Sequence, residues 1–514
     1  MPPIRNRHEM TTLSDVLAVL PPSARLHAGR GAQTDRSLVL ADVTHDSRSA
    51  GPGVLFACRP GQVADGHDFG PAAVAAGSPA LLVERPLDVD VPQVQVDSVA
   101  ATLGVVAATV QDHPSSALEL AGVTGTNGKT TITYLMESIL AAGGHTTGVV
   151  GTVSTRIAGE TVAGARTTPE APDLQRLLRR MVTSGVTAAA MEVSSHGLAL
   201  GRVNGTRFSV VVFTNLTQDH LDFHPDLEDY YQAKASLFTS RFAPAAVVNV
   251  DDAFGRRVAG ETALQVVRVG SRPDADVTAR DVVSAPGGST FTAVLGGRSV
   301  PVRTALPGHF NVTNALCAVA AADVMGIAPE IAAAGVAALS GVPGRMERVE
   351  AGQPFTVLVD YAHTPDSLQN VLRAARGLID ARPGAGTATG TARVIVVIGC
   401  GGDRDRGKRP LMGRAAVEGA DLAVLTSDNP RSEDPMAILE AMLAGVREVP
   451  GARHTLEPAR REAIALALGE ARPGDVVVIA GKGHETTQEL ADRVVDFDDG
   501  AVARELLAGR AGQR

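Results

Sequence analysis

The segment 118–140, LELAGVTGTNGKTTITYLMESIL, joins a short apolar stretch, a glycine-rich turn and a helix-forming stretch. Such a turn lets a ligand approach the backbone closely, and the N–H groups at a helix start attract phosphate. The lysine can reach terminal phosphates and a threonine hydroxyl can hold Mg²⁺. The spacing departs from the standard phosphate loop because valine stands five positions before the last glycine, so a turn that merely connects strand and helix is the alternative. The residues predicted to bind nucleotide are Gly125, Thr126, Asn127, Gly128, Lys129, Thr130 and Thr131.

The order of strand, turn and helix recurs along the chain. Apolar stretches such as TAAAMEV, FSVVVF and DVVVIA end in polar residues or glycine, which predicts an α/β chain with mostly parallel sheets. Breaks in composition at QDHPSS and LSGVPGRM divide it into three domains. These are a small N-terminal α/β domain at 1–117, a central ATPase domain of phosphate-loop type at 118–342 and a Rossmann-like C-terminal domain at 343–514. The low-complexity stretch 381–392 predicts a surface loop.

Charge and composition narrow the choice of partners. The 514 residues carry 47 Lys and Arg against 56 Asp and Glu, a formal charge of −9, without a long basic tract, so nucleic acid is not expected to bind. The N-terminus lacks the pattern of a secretory leader, and no apolar stretch is long enough to cross a bilayer. Cys58, Cys317 and Cys400 lie far apart, which fits a reducing compartment. We expect a cytoplasmic monomer that acts on small molecules.

Side chains suited to a metal ion follow two predicted strands. Glu192 ends the first strand, and a run of hard ligands follows the second. Carboxylates and imidazoles of this kind suit Mg²⁺, although a solvated loop residue is the alternative for each. The run after the second strand comprises Asp219, His220, Asp222 and His224. Lys234, in YYQAKASLF, taken alone predicts a surface cation whose stem packs on apolar neighbours.

Amides and a carboxylate are predicted to contact the nucleoside. Asn311 and Asn314 share one face at the start of an alanine-rich helix and can read an adenine edge, while helix capping by Asn311 is an equal alternative. Asp360 ends an apolar strand and can accept a ribose hydroxyl. Arg345, which comes shortly before that strand, can bind phosphate or carboxylate.

The last third of the chain concentrates charged residues at strand ends. Pro430 stiffens the turn in TSDNPRSED and fixes its neighbours, among which Arg431 can bind a carboxylate as a fork. Glu485, in AGKGHE, can bind an amine. Cations and acids on neighbouring strand ends predict a site for a zwitterion. Further members of this set are His363, Arg404, Lys408, Asp428 and Asn429.

These motifs together resemble the Mur ligases of peptidoglycan synthesis, and within them the members that add the third residue of the stem peptide. DSRSAGPGVLFACRPGQVADGHDF is similar to the domain of that family that binds the UDP-sugar. TGTNGKTT, EVSSHGLALGR, TNLTQDHLDFH, YYQAKASLF and GHFNVTNALCA resemble its ATPase domain. GRMERV, DYAHTPDSL, GCGGDRDRGKRPLMG, DNPR and GKGHE resemble its C-terminal domain. The resemblance covers nearly the whole chain.

The resemblance implies roles for particular residues. Lys234 matches a lysine that carries a CO₂-derived carbamate and, with Thr130, Glu192 and His220, would hold Mg²⁺. Lys129, Glu192, His220 and the modified Lys234 would form the catalytic set. The positions that match the binding site for UDP-MurNAc-L-Ala-D-Glu are Ser47, His67, Thr167, Thr168, Ser194 and Arg202. DNPR is typical of members that accept diaminopimelate rather than lysine, and by that match the amino acid would contact Arg404, Asp428, Asn429, Arg431, Gly481 and Glu485.

The implied reaction activates a carboxylate with ATP and joins it to the amine of diaminopimelate through an acyl phosphate. Folylpolyglutamate synthesis and addition of lysine are rival reactions within the superfamily, and DNPR together with the N-terminal domain argues against both. A kinase of phosphate-loop type is the rival from another class, and it would release ADP without free phosphate. The sequence leaves open whether meso- or LL-diaminopimelate is used.

Overall fold

The computed structural model describes residues 10–30, 35–61, 63–162, 164, 166–285, 287–380 and 392–511. Most of the predicted surface loop, 381–391, and the residues 1–9 of the N-terminus lie outside the described residues. The described parts of the chain form three large sheets, and each falls within one of the three predicted segments. The α/β fold class with a mostly parallel central sheet is thereby confirmed. The domain boundaries themselves stay predictions.

Within the described residues, the first sheet has five strands in the order β1-β5-β4-β3-β2, all parallel except the edge strand β1. Its strands are β1 Arg25–His27, β2 Asp42–Thr44, β3 Val54–Ala57, β4 Leu81–Val83 and β5 Gln93–Gln95. Helices α1 Leu13–Ala18, α2 Gly70–Ala75 and α3 Val99–Val110 accompany it. Apolar side chains such as Leu55, Leu82 and Val99 form its buried core.

The central sheet has eleven strands among the described residues, in the order β16-β15-β14-β13-β12-β11-β6-β10-β7-β8-β9. The strands are β6 Glu119–Thr124, β7 Thr147–Val150, β8 Thr155–Ile157, β9 Glu160–Val162, β10 Ala188–Glu192, β11 Val210–Phe213, β12 Ala245–Asn249, β13 Gln265–Val269, β14 Val277–Ala285, β15 Gly288–Leu295 and β16 Arg298–Thr304. The helices are α4 Lys129–Ala142, α5 Ala171–Thr183, α6 Ser195–Ala199, α7 Leu227–Ala235, α8 Ala253–Glu261, α9 His309–Val324 and α10 Pro329–Ala338.

Both faces of this sheet are covered, as the unbroken apolar strands predict. Ala121 and Val123 of β6 pack into one core, with residues of α4 and α9, while Leu120 points to the opposite core. The middle strands run parallel, but β8 and β9 at one edge and β15 and β16 at the other run antiparallel to their neighbours. The prediction of a parallel sheet therefore holds for the middle of the sheet, which carries the glycine-rich turn, and not for its two edges.

In the described part of the C-terminal segment, the third sheet has the order β17-β18-β22-β19-β20-β21, and only β17 runs antiparallel to its neighbour. Its strands are β17 Glu347–Arg348, β18 Thr356–Asp360, β19 Val394–Ile398, β20 Leu422–Leu425, β21 His454–Leu456 and β22 Val476–Ala480. A separate pair, β23 Thr487–Glu489 and β24 Val494–Asp496, follows. The helices are α11 Pro365–Asp380, α12 Lys408–Gly419, α13 Pro435–Val446, α14 Arg460–Glu470 and α15 Asp499–Ala511. None of the described helices has the length and apolarity needed to cross a membrane.

Candidate active site

The glycine-rich turn lies between β6 and α4, at the carboxyl ends of the neighbouring strands β10 and β11. Gly125 has a φ of +142° and Gly128 a φ of +91°, values that side chains with a Cβ rarely adopt. A Cβ on Gly128 would lie 2.5 Å from Oδ1 of Asn314 in α9. The turn therefore needs glycine at both positions, which supports a phosphate-binding conformation over a simple connection.

A cavity of about 890 Å³ opens beside this turn, between the central and C-terminal sheets. Its volume suits a ligand of nucleotide size. The predicted site residues that line it are Thr126, Asn127, Gly128, Lys129, Thr130, Thr131, Thr167, Glu192, Ser194, Asp219, His220, Asn314, Arg345, Asp360 and His363. Lining residues that the sequence analysis did not assign include Thr152, Thr217 and Asp366. Most of the predicted nucleotide and metal residues are thus brought together.

The Lys129 amine folds back onto its own turn. Nζ donates to the carbonyl oxygens of Gly125, at 3.0 Å, and Thr126, at 2.8 Å. Burial of the amine lowers its pKa, and the charge of Glu192 works in the opposite direction. A lysine that contacts only carbonyls is available to a phosphate, which would replace them as the partner of the ammonium.

Glu192 ends β10 as predicted, and it is buried. Its Oε1 accepts from the hydroxyl of Thr130, at 3.0 Å, and from the backbone N–H of Thr152, at 2.8 Å, while Oε2 accepts from the Thr152 hydroxyl at 3.0 Å. A carboxylate beside the threonine that follows the lysine is the donor set expected for Mg²⁺ bound together with phosphates. The residues present therefore fit that ion.

Lys234 lies in α7 with its side chain buried, so the interpretation as a surface cation is wrong. Its Nζ donates to the carbonyl oxygen of Gly125 at 2.8 Å and lies 4.5 Å from the ring centroid of Tyr230. Burial, and next the charge of Lys129, lower the pKa of Lys234 well below its ordinary value. The lowered pKa favours the uncharged amine, which is the form that reacts with CO₂, and this chemistry fits a carbamate.

The predicted run of metal ligands is not assembled into one cluster. Nε2 of His220 and Nε2 of His363 lie 3.4 and 3.7 Å from Oδ2 of Asp219, and burial lowers the pKa of His220 to about 3. Nδ1 of His224 instead contacts Asp229 at 2.7 Å. In the described parts of the chain, no three His, Cys, Asp or Glu side chains are grouped so that they could hold a metal ion. His220 as a ligand stays a prediction.

Asn311 and Asn314 lie on α9, but Asn311 does not cap it. The N-cap is Gly308, and Asn311 lies inside the first turn, where its Nδ2 donates to the carbonyl oxygen of Pro307 at 2.8 Å. Nδ2 of Asn314 donates to Oδ1 of Asn311 at 3.2 Å. Asn311 thus orients Asn314, and only Asn314 of the pair lines the cavity.

Arg345 and Asp360 approach the turn from the C-terminal side. Nη2 of Arg345 donates to Oγ1 of Thr130 at 3.1 Å, and its guanidinium lies 4.6 Å from the ring centroid of Tyr361. Asp360 is buried and accepts from the backbone N–H groups of Met346, at 2.7 Å, and Ala362, at 2.8 Å. Burial raises the pKa of Asp360. Both residues also line the cavity.

The residues matched to the UDP-MurNAc-dipeptide site lie in two separate places, near the end of β10 and in the N-terminal region. Thr168 donates to the carbonyl oxygen of Glu192 at 2.9 Å, and Ser194 caps α6, so both lie at the carboxyl end of β10. Arg202 forms an ion pair with Glu170 at 2.7 Å. Ser47 lies apart in the short helix Ser47–Ser49 of the N-terminal region, outside the lining of the cavity.

His67 also belongs to the N-terminal region. Its ring is buried, with Nδ1 at 2.6 Å from Oδ1 of Asp65 and Nε2 accepting from the N–H of Glu84 at 3.0 Å. Both ring nitrogens are therefore used within the fold.

Glu170 is a residue that the sequence analysis missed. Besides Arg202, it pairs with Arg59 of the N-terminal region at 2.9 Å and with Arg166 at 2.5 Å. Burial would raise the pKa of Glu170, but the neighbouring arginines, Arg202 foremost, lower it. Three arginines thus surround this one carboxylate, and one of them, Arg59, comes from the N-terminal region. The motif RTTPE could have pointed to Glu170, because it places an arginine before and a glutamate after the matched threonines.

The C-terminal site residues meet at the ends of β20 and β22. Nδ2 of Asn429 donates to Oε2 of Glu485 at 2.8 Å, and the buried Lys482 donates to both Asn429 Oδ1 and Glu485 Oε2 at 3.0 Å. Burial would raise the pKa of Glu485, but the Lys482 charge lowers it. Lys482 was missed, although GKGHE contains it.

Arg431 has a left-handed backbone, with φ of +50°, so its side chain leaves the turn in an unusual direction. Its Nε donates to Glu489 at 2.6 Å and its Nη1 to the carbonyl oxygen of Gly402 at 2.8 Å.

Oδ2 of the buried Asp428 approaches Gly481, where a Cβ would lie 2.6 Å away. Burial raises the pKa of Asp428. Arg404 is exposed and is not part of this network.

Three family models match successive parts of the chain. They are a Mur ligase catalytic domain at 40–123, a Mur ligase middle domain at 123–322 and a Mur ligase glutamate ligase domain at 344–483. Relatives named UDP-N-acetylmuramoyl-L-alanyl-D-glutamate--2,6-diaminopimelate ligase include one from Solibacter usitatus, 46% identical over 93% of this chain and 94% of its own, and one from Streptomyces coelicolor, 47% identical over 94% and 95%. A solved structure of a ligase with the same name is 33% identical, with a TM-score of 0.67 over 98% of this chain and 100% of its own. The chain belongs to the Mur ligase family.

Proposed function

We propose that this protein is an ATP-dependent ligase that joins diaminopimelate to the D-Glu carboxylate of UDP-MurNAc-L-Ala-D-Glu in peptidoglycan precursor synthesis. The observation that carries the proposal is the identity of 46–47%, over more than nine-tenths of the chain, with ligases named for this reaction. The cavity beside the glycine-rich turn supports it with a place for ATP. Acting on soluble precursors, the protein would work as a monomer in the cytoplasm.

The first half of the reaction transfers a phosphoryl group. An oxygen of the D-Glu carboxylate attacks the γ-phosphorus of ATP, the bond to the β,γ-bridging oxygen breaks, and ADP leaves. The N–H groups in the first turn of α4 would contact the phosphates, because those of Thr126 and Asn127 already donate to Asn215, and Lys129 would move from its carbonyl partners onto the terminal phosphate. Thr130 and Glu192 would hold Mg²⁺, which supplies positive charge to the phosphates when bound.

Lys234 has a role beneath the turn. Its amine lies against the carbonyl of Gly125, and after reaction with CO₂ it would carry a negative charge in a region that now holds Lys129. That charge would keep Lys129 protonated when the terminal phosphate leaves it. Asn314 and Asp360 would contact the nucleoside, and Arg345 would add a second cation beside the phosphates.

The second half forms the amide. The amine of diaminopimelate attacks the acyl carbon, a tetrahedral intermediate collapses and phosphate leaves with the electron pair of the broken C–O bond. Glu485 would pair with the ammonium, which gives its proton to water before the amine attacks, while Arg431 and Asn429 would bind the distal carboxylate. Lysine lacks that carboxylate, so it would leave Arg431 without its ligand.

The test is phosphate release from ATP and Mg²⁺ with UDP-MurNAc-L-Ala-D-Glu and one of three amino acids. Release with meso- or LL-diaminopimelate, together with a product of the expected mass, supports the proposal and identifies the stereoisomer. Release with L-lysine alone keeps a ligase but contradicts the assigned specificity. ADP formation with a stable phosphorylated acceptor and no free phosphate favours a kinase.

A further inference from the structure

A fully buried ion pair lies under the C-terminal site. Arg460 is the first residue of α14 and Asp499 the first residue of α15, and neither side chain is exposed to solvent. Nε of Arg460 donates to Oδ1 of Asp499 at 2.8 Å and Nη2 donates to Oδ2 at 2.6 Å. This bidentate geometry fixes the plane of the guanidinium.

The same guanidinium donates to two backbone carbonyls. Nη2 donates to the oxygen of Ala480 at 2.9 Å, and Nη1 donates to the oxygen of Ser427 at 3.3 Å. Ala480 is the last residue of β22, and Ser427 follows the end of β20. These strands are not neighbours, because β19 lies between them. Arg460 therefore connects two strand ends that the sheet's own hydrogen bonds do not join directly.

Each of those carbonyls directly precedes a residue of the candidate amino-acid site. The peptide after Ser427 leads into Asp428 and Asn429, and the peptide after Ala480 leads into Gly481. Asn429 in turn contacts Lys482 and Glu485, which follow Gly481. A small rotation of either peptide would move these side chains relative to each other.

Stability alone does not account for such a pair. Removing two charges from water is costly, and apolar side chains of similar volume often stabilise a protein equally well or better. Apolar side chains, however, cannot donate to two carbonyls. What the arginine adds, and an apolar side chain would lack, is the pair of hydrogen bonds that connects the two strand ends.

We propose that Arg460, oriented by Asp499, is a positioning residue that sets the spacing between the Asp428–Asn429 and Gly481–Glu485 segments and thereby the affinity for diaminopimelate. This inference rests on the proposed function only for the identity of the amino acid. The connection itself is a property of the fold and is tested without substrate.

The experiment compares the wild-type protein with the double variant Arg460→Met/Asp499→Leu, which keeps an apolar contact without leaving a lone buried charge. The control is Arg393→Met/Asp475→Leu, because in that pair, at 2.9 Å, Arg393 directly precedes β19 and Asp475 directly precedes β22, at the ends of these strands opposite the candidate site. Hydrogen exchange of residues 427–431 and 480–485 is measured first, without ligands. The KM for meso-diaminopimelate and for ATP, and kcat, are measured next.

We expect faster exchange in both segments and a KM for diaminopimelate raised about tenfold or more, with the KM for ATP changed less than about twofold. The control should leave exchange in these segments and the diaminopimelate KM near wild type. Arg460→Lys, which keeps the charge but not the fork, should give an intermediate KM. Unchanged exchange in both segments, or an unchanged diaminopimelate KM, in the folded double variant overturns the inference. If the wild type itself does not turn over diaminopimelate, the proposed function fails, and the exchange result still decides whether Arg460 positions the two segments.

Discussion

Nη2 of Arg345 donates to Oγ1 of Thr130 at 3.1 Å, across 215 positions of sequence. The contact brings a cation from the start of the C-terminal region against the first turn of α4. Nδ2 of Asn127 and Oδ2 of Asp366, 3.1 Å apart, form a second contact between the same two parts. Two contacts thus join the C-terminal region to the glycine-rich turn and to the helix that follows it.

Substitution of Arg345 therefore tests whether this cation acts on ATP. Arg345→Lys keeps the charge but cannot donate to both Thr130 and the carbonyl oxygen of Gly344 in the present geometry. We expect kcat to fall about tenfold or more, and the KM for ATP to rise, because the loss of a charge-assisted contact is worth about 1.5–3 kcal/mol. Steady-state kinetics with ATP varied checks this. Arg348→Lys, an exposed pair with Glu350, is the control and should remain near wild type.

Glu192 is expected to govern the requirement for magnesium. Glu192→Gln keeps the shape and some hydrogen bonds to Thr130 and Thr152 but removes the charge that attracts the ion. The Mg²⁺ concentration for half-maximal activity should rise about tenfold, about 1.4 kcal/mol of lost interaction. A titration of activity with Mg²⁺ at saturating ATP measures it. Glu160→Gln, on the exposed edge strand β9, should not shift the midpoint, and an equal shift in both variants would contradict the assignment.

The strand ends of this site were predictable from the sequence because each polar residue directly follows an unbroken apolar run. Glu192 and Asp360 are examples, and both lie at the carboxyl end of a buried parallel strand. Gly125 and Gly128 were also predictable, because they belong to the turn that directly follows the apolar strand β6. Local sequence pattern thus identifies a site when one segment contains both the strand and the polar side chains that follow it.

Lys234 and Glu170 show where local pattern fails. YYQAKASLF is equally compatible with an exposed and a buried lysine, and the deciding contact is the carbonyl of Gly125, 109 positions away. The pKa of Glu170 is lowered by several arginines, among them Arg59, which follows β3 of the N-terminal sheet. The antiparallel strands β15 and β16 were likewise missed because their alternating, partly exposed residues lack the unbroken apolar runs that marked the other strands. Interactions between distant segments determine each of these features.

The lowered pKa of Lys234 predicts how activity depends on CO₂ and pH. Burial disfavours the ammonium, so the neutral amine predominates at a pH where an ordinary lysine, with its pKa of 10.5, is still charged. Protein depleted of CO₂ should lose activity and regain it with bicarbonate. At a fixed concentration of dissolved CO₂, the rate of recovery should rise with pH and level off well below 10.5.

Two observations would contradict this account of Lys234. One is recovery that keeps rising in proportion to hydroxide up to the ordinary lysine pKa, which would mean that the amine is not perturbed. The other is a Lys234→Met variant that retains wild-type activity. In that variant, bicarbonate should have no effect at any pH, because the reacting amine is gone.

Arg431 is expected to set the choice of amino acid. Its Nε is held by Glu489 and its Nη1 by the carbonyl of Gly402, so the guanidinium is already oriented. Arg431→Ala removes one charge-assisted contact with the distal carboxylate, worth about 1.5–3 kcal/mol, and should raise the KM for diaminopimelate about 10- to 150-fold. Lysine has no such carboxylate, so its weak turnover should change little, and the preference in kcat/KM for diaminopimelate over lysine should become smaller.

The control is Arg447→Ala, which removes an exposed arginine paired with Glu440 on α13 and so tests for a general effect of removing charge. A diaminopimelate KM unchanged in Arg431→Ala would mean that another cation, such as Lys482, binds the distal carboxylate.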